Sequence, residues 1–149
     1  MEKINEIQTI EQEIVEEFAV FDSWEDKYEY IIDMGKKLPP LDEGFKTEEN
    51  KVRGCQSTVW LVSHFREGKV FFEAQSDAVI VRGLISMLVR VMSGQRPEEI
   101  IAAPLQFIQQ IGMTSHLAQT RSNGLLAMVR QMKHFALAYK LKYGSDQHR

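Results

Sequence analysis

Two short runs of alternating residues sit near the middle of this chain and limit its fold more than anything else in it. Val59, Leu61, Ser63 and Phe65 alternate with Thr58, Trp60, Val62 and His64, and the set is rich in β-branched and aromatic side chains. That is the pattern of a half-buried strand. Glu67-Gly68 marks a tight turn, and Val70-Phe71-Phe72-Glu73-Ala74 returns as a second strand. Everything around this hairpin follows the helical period. Ile4, Ile7, Ile10, Ile14 and Phe18 form one apolar stripe over residues 4–20, with Glu6, Glu11, Glu13, Glu16 and Glu17 on the remaining faces. Ser23 reads as a helix N-cap with Asp26 as its capping-box partner. The helix it opens carries Trp24, Tyr28, Ile31 and Ile32, and is expected to end near Gly35 before Pro39-Pro40. Residues 39–54 mix Pro, Gly and charge and read as an exposed loop.

After the hairpin, Ser76 or Asp77 is placed to cap a helix bearing Ile80, Leu84, Leu88 and Val91, which stops at Ser93-Gly94. Pro97 at a first helical position, followed by Glu98-Glu99, starts a short helix that Pro104 breaks. Leu105, Phe107, Ile108 and Ile111 continue a buried segment. The last long helix carries Leu125, Met128, Met132, Phe135 and Tyr139 on one stripe, and the tail from Gly144 is expected to fray. Helices, a hairpin, then helices predict an α+β fold. It is a compact single domain over residues 1–149, a small antiparallel sheet with helices packed on one face. A length of 149 residues with 44% hydrophobic content suits one such core.

The formal charge of -3 argues against nucleic acid as a partner, because phosphate binding needs a basic face. The opening Met-Glu-Lys-Ile-Asn-Glu lacks the features of a secretory leader, and no apolar run approaches the length of a membrane span, about 18 residues. A cytoplasmic protein is the expectation. Cys55 is the one cysteine in the chain. A lone thiol forms no internal disulfide and cannot supply the ligands of a zinc or iron–sulfur site, so burial or single-thiol chemistry remains. Burial as a small hydrophobe is the more frequent fate. For chemistry speak Gly54, which lets the backbone bend before the thiol, and Gln56 and Ser57, which can donate to a sulfur anion. Lys51 and Arg53 are close in sequence and would lower the thiol pKa if they faced it. His64, His116, His134 and His148 show no ligand spacing, so no metal site is expected. Pairing of Cys55 with His116 in the manner of a cysteine protease lacks the sequence signatures of such enzymes. Arg121 opens the last helix, either as a solvated side chain or as part of an anion-binding patch.

The segment Val52-Arg53-Gly54-Cys55-Gln56-Ser57-Thr58-Val59-Trp60 closely resembles the cysteine motif of the SufE family of sulfur acceptors. The resemblance continues in Ser76-Asp77-Ala78, in Ile80-Val81-Arg82-Gly83-Leu84, in His116-Leu117 and in Arg121-Ser122-Asn123-Gly124-Leu125 with Met128 a turn later. Tyr28, Ile31, Ile32 and Gly35-Lys36-Lys37-Leu38 also fit, so the similarity runs from about Trp24 to Phe135. It implies a SufE/NifU-like fold and a carrier that takes persulfide sulfur from a pyridoxal-phosphate cysteine desulfurase onto Cys55. It implies stimulation of that desulfurase (SufS-like) and delivery of the sulfur to an iron–sulfur cluster scaffold (SufBCD-like), with no cofactor on this chain. Arg121 matches an arginine near the active loop, and Asp77 a position tied to loop behaviour and partner contact. Gly54, Gln56 and His116 complete the supporting or partner-binding set. Such a chain is a sulfur-transfer protein and not a stand-alone enzyme, and a homodimer is compatible with it. Two alternatives stay open: a paralogous acceptor (CsdE-like) serving another desulfurase, and a binding module or activator with an incidental cysteine.

Overall fold

The computed structural model describes residues 6–144. Ile4 and the tail beyond Gly144 lie outside the described residues. Helix α1 spans Glu6–Ala19 and α2 spans Trp24–Lys36. The hairpin strands are β1, Val59–Arg66, and β2, Lys69–Ser76, followed by α3 over Val79–Met92. Three short helices follow, α4 (Pro97–Ala102), α5 (Phe107–Gln110) and α6 (Met113–His116), before the long α7 (Gln119–Tyr143).

The strands pair antiparallel in the register Val59↔Ser76 through Arg66↔Lys69. Glu67 (φ 53°) and Gly68 (φ 79°) are both left-handed, the backbone that a two-residue hairpin of this twist requires. One face of the sheet, with Leu61, Val70, Phe72 and Ala74, is buried under helices. On that face Ser63 Oγ and Tyr139 Oη are 2.9 Å apart, and Phe65 stacks on Tyr139 and Tyr143 at centroid distances of 5.0 and 4.8 Å. The segment expected to be an exposed loop covers the other face. It contains 3₁₀ turns at Glu43–Phe45 and Glu48–Asn50 and buries Leu41 and Val52. Lys46 Nζ lies over the Trp60 ring, and Gln75 Nε2 donates to the Pro39 carbonyl. Charge and proline mark this stretch as irregular, but irregular chain can still cover a sheet. Its end is tied to β1, because Val52 N–H donates to the Val59 carbonyl at 2.8 Å.

α2 ends near Gly35, as expected: its last residue is Lys36 and its C-cap Lys37, so Gly35 lies just inside the helix. Its lack of a side chain serves packing: a Cβ there would sit 2.7 Å from Gly83 N, and a Cβ on Gly83 would overlap the Ile31 carbonyl. The pair lets α2 and α3 cross at backbone contact. Two local expectations are corrected. Glu11 is not on a solvent face. It is buried and accepts the Phe107 N–H at 3.2 Å, which fixes the start of α5, while burial pushes its carboxyl pKa up. Neither Ser76 nor Asp77 is the N-cap of α3; Ala78 holds that place, without a side-chain cap. Ser76 Oγ instead donates to the Thr58 carbonyl at 2.7 Å and accepts the Ala78 N–H at 3.2 Å. By contrast, Ser23 caps α2 as expected, accepting the Asp26 N–H.

Candidate functional site

Cys55 lies in the segment that joins Val52 to β1. Gly54, just before it, has φ 93°, a conformation in which a side chain would be strained. The bend lays the segment across one face of α7. A Cβ on Gly54 would come within 3.2 Å of Ala127 Cβ, and one on Gly124 within 3.5 Å of Cys55 Sγ. Ala127 and Gly124 are three positions apart and share that helix face. The small residues of α7 therefore make the seat on which the cysteine segment rests.

The sulfur borders a cavity of about 290 Å³. Val81, Leu84, Ile85 and Leu88 of α3 line one side, at the i, i+3, i+4, i+7 spacing of a single face. Leu125 and Met128 of α7 line another, and Ala118 and Arg121 come from the start of that helix. Gln56 and Ser57 also contribute to the lining. The enclosure is thus apolar around the thiol, with Arg121 the cation among its lining residues.

The cysteine is half-buried, and its thiol donates to the Gly124 carbonyl at an Sγ···O distance of 3.5 Å. Burial pushes the Cys55 pKa up from that of an ordinary thiol. Lys51 and Arg53, close in sequence, would lower that pKa only if they faced the sulfur. Their charges do not face the sulfur: both line a separate cavity, and Lys51 Nζ is paired with Glu48 at 3.1 Å. The left-handed backbone at Gly54 interrupts the extended chain between Arg53 and Cys55, so closeness in sequence did not become closeness in space.

The other expected site residues separate into two groups. Gln56 and Arg121 join Cys55 at the cavity, and Gly54 shapes the segment that holds it. Asp77 is exposed between β2 and α3 and is not among the cavity lining. His116 is also away from the thiol. Its ring stacks on Trp24 at 4.2 Å, its Nδ1 lies 3.1 Å from the Gly112 carbonyl, and its own carbonyl accepts from Tyr28 Oη at 2.7 Å. This cluster ties α2 to the segment leading into α7, from which Ala118 and Arg121 reach the cavity. Sequence reasoning missed Gly124, Ala118, Val81 and Ile85 as site residues. Gly124 and Val81 stand inside recognisable motifs, but their contact with the thiol is a property of the fold. Among the described residues no group of three or more His, Cys, Asp or Glu is arranged to hold a metal ion. Among the described residues no helix is long and apolar enough to cross a membrane.

Comparison with known proteins bears on the family and the fold. A SufE-like protein of Rhizobium meliloti is 44% identical over 126 residues, covering 81% of this chain and 90% of the relative. The SufE-like protein 1 of Arabidopsis thaliana, described as chloroplastic/mitochondrial, is 40% identical over 147 residues; the match covers 98% of this chain but 40% of the longer plant protein. A SufE-like protein of Synechocystis is 35% identical over 128 residues, covering 86% of this chain and 80% of the relative. A solution structure of a hypothetical protein from Thermus thermophilus superposes with a TM-score of 0.72 at 21% identity, covering 87% of this chain and 94% of that one, which establishes a shared fold. The family model described as SufE, Fe–S metabolism associated domain, matches residues 12–136, and the chain therefore belongs to the SufE family, with the general role in sulfur transfer that this membership carries.

Proposed function

We propose that this protein accepts sulfur on Cys55 from a pyridoxal-phosphate cysteine desulfurase, shelters it as a persulfide, and passes it to an iron–sulfur scaffold in the cytoplasm. The observation that carries the reading is the placement of the sole thiol at an apolar cavity of about 290 Å³, beyond what the thiol itself occupies. A core cysteine would be packed on all sides, since interiors leave few voids larger than a water molecule.

The exchange balances without a redox partner. Cys55 thiolate attacks the outer sulfur of the donor's Cys–S–SH, the bond between the donor's two sulfurs breaks, and the donor thiolate leaves and takes up a proton. Cys55 then carries the S–SH group. In the free protein burial holds the thiol protonated, which makes it a poor nucleophile toward stray electrophiles. Acceptance needs that burial relieved. Gly54 supplies the hinge, and the single long Sγ–Gly124 hydrogen bond is weak enough to release the sulfur. Arg121 at the cavity edge can then stabilise the sulfur anion or a partner carboxylate. Asp77 and His116, away from the thiol, serve partner contact and positioning.

The test is intact mass after incubation with a panel of cysteine desulfurases and free cysteine. Wild type should gain one sulfur, removable by reductant, and Cys55→Ser should fold normally and gain none. A serine variant that stimulates the desulfurase or loads the scaffold as well as wild type would reduce the protein to a binding module with an incidental cysteine.

A further inference from the structure

A second cavity, about 280 Å³, lies between residues 49–53 and the middle of α7, behind the cysteine segment. Its chemistry differs from that of the first. Arg53 comes from the segment, Arg130 and His134 from α7, and Leu61 with Phe135 supply an apolar floor. Lys51 also lines it but is neutralised by Glu48, and Glu49 is a carboxylate on the rim. Among the described residues the side chain of neither Arg53 nor Arg130 makes a hydrogen bond or ion pair. Two exposed arginines lining one half-open pocket, in a protein with a formal charge of -3, repel each other and favour an anion between them.

We propose that this cavity binds a small organic anion of the polycarboxylate class, bridged between Arg53 and Arg130 with its carbon body against Leu61 and Phe135, and that the bound anion holds the cysteine segment onto α7. Arg53 is two residues before Cys55, and Gly54 between them already touches Ala127. An anion tying Arg53 to α7 therefore restrains the hinge that frees the thiol. The ligand would set how readily Cys55 becomes available. The inference goes beyond the sulfur-transfer reading and is tested on the isolated protein, so either can fail alone.

The full chain is titrated with citrate, with inorganic phosphate, and with sodium chloride at matched ionic strength. Melting temperature and the rate of Cys55 alkylation by iodoacetamide are followed together. Citrate should raise the melting temperature saturably, more strongly than phosphate. It should slow alkylation about tenfold at ten times its Kd, if the bound form does not react. Arg130→Gln should melt like wild type without ligand and lose both responses. A citrate response that survives Arg130→Gln, or that sodium chloride reproduces, overturns the site. Phosphate binding as tightly as citrate overturns the role of the carbon body. Saturable, Arg130-dependent binding with unchanged alkylation overturns the restraint on the hinge.

Discussion

Two glycine contacts in this molecule look alike in sequence and differ in what they do. At the α2–α3 crossing, Gly35 and Gly83 bring two backbones together with no room for a methyl group. At the α7 seat, Gly124 faces the Cys55 sulfur across an ordinary van der Waals gap, beside a cavity. The first contact is filled to the limit and holds the helical layer together. The second is looser, at the place where the proposed sulfur acceptance requires the thiol to move. Well-packed regions carry stability, and local looseness is kept where function needs motion.

The same one-methyl change should separate the two regions. Gly83→Ala places a Cβ into the Ile31 carbonyl and is expected to cost about 3 kcal/mol or more in urea unfolding, with Gly35→Ala costing less, about 1–3 kcal/mol. Stability equal to wild type in either would show that the crossing relaxes easily and erase the contrast. Gly124→Ala removes a glycine from a helix interior and meets the sulfur at 3.5 Å. It should leave the fold unchanged or stabilise it by up to about 1 kcal/mol. It should also slow alkylation of Cys55 by covering the sulfur more fully. Loss of stability there would make the seat as tightly packed as the crossing.

Two smaller effects sharpen the picture of the loose region. Alkylation of Cys55 in the free protein should increase with pH through a midpoint above that of a free cysteine peptide, because burial raises the folded-state pKa. A folded pKa raised above the unfolded one means that ionisation opposes the fold. Cys55 should thus leave stability unaffected below the ordinary thiol pKa and lower it as pH climbs beyond. A midpoint at or below the peptide value would mean that a cation reaches the sulfur. Arg121→Ala is expected to change stability by no more than about 0.5 kcal/mol, as for an exposed side chain. In a transfer assay with the desulfurase it should cost about 1–3 kcal/mol if one charge-assisted hydrogen bond is lost. Transfer at the wild-type rate would return Arg121 to the role of a solvated side chain.

The hairpin was legible because strand alternation and the Glu67-Gly68 turn are local signals that no distant contact overrides. The identity of Cys55 as the residue to watch was legible from its being alone and from the motif around it. The cavity was not. Val81, Leu84, Ile85 and Leu88 have the spacing of any buried helix stripe, and nothing in that spacing says whether the space they face is filled. The packing role of Gly35 was hidden for a related reason: a glycine near a helix end and one that lets another helix approach are the same letter. Glu11 stands in an acidic run, and its burial depends on Phe107, 96 positions away. The acidity of Cys55 was not legible, because Lys51 and Arg53 are neighbours of the residue and not of the sulfur.

The hydrogen bond from Val52 to Val59 acts as a knot in a short leash. It closes residues 53–58 into a loop whose two ends are fixed at the start of β1. Cys55 is three residues from the knot, and a fully extended chain of that length spans about 10 Å. The sulfur can swing out without unpairing the sheet, but no farther than that. Under the sulfur-acceptor function proposed above, this reach does not suit a deep donor pocket. The donor would present its persulfide on an arm of its own, close to the end of β1, and the span between the two sulfurs would be covered mostly from the donor's side.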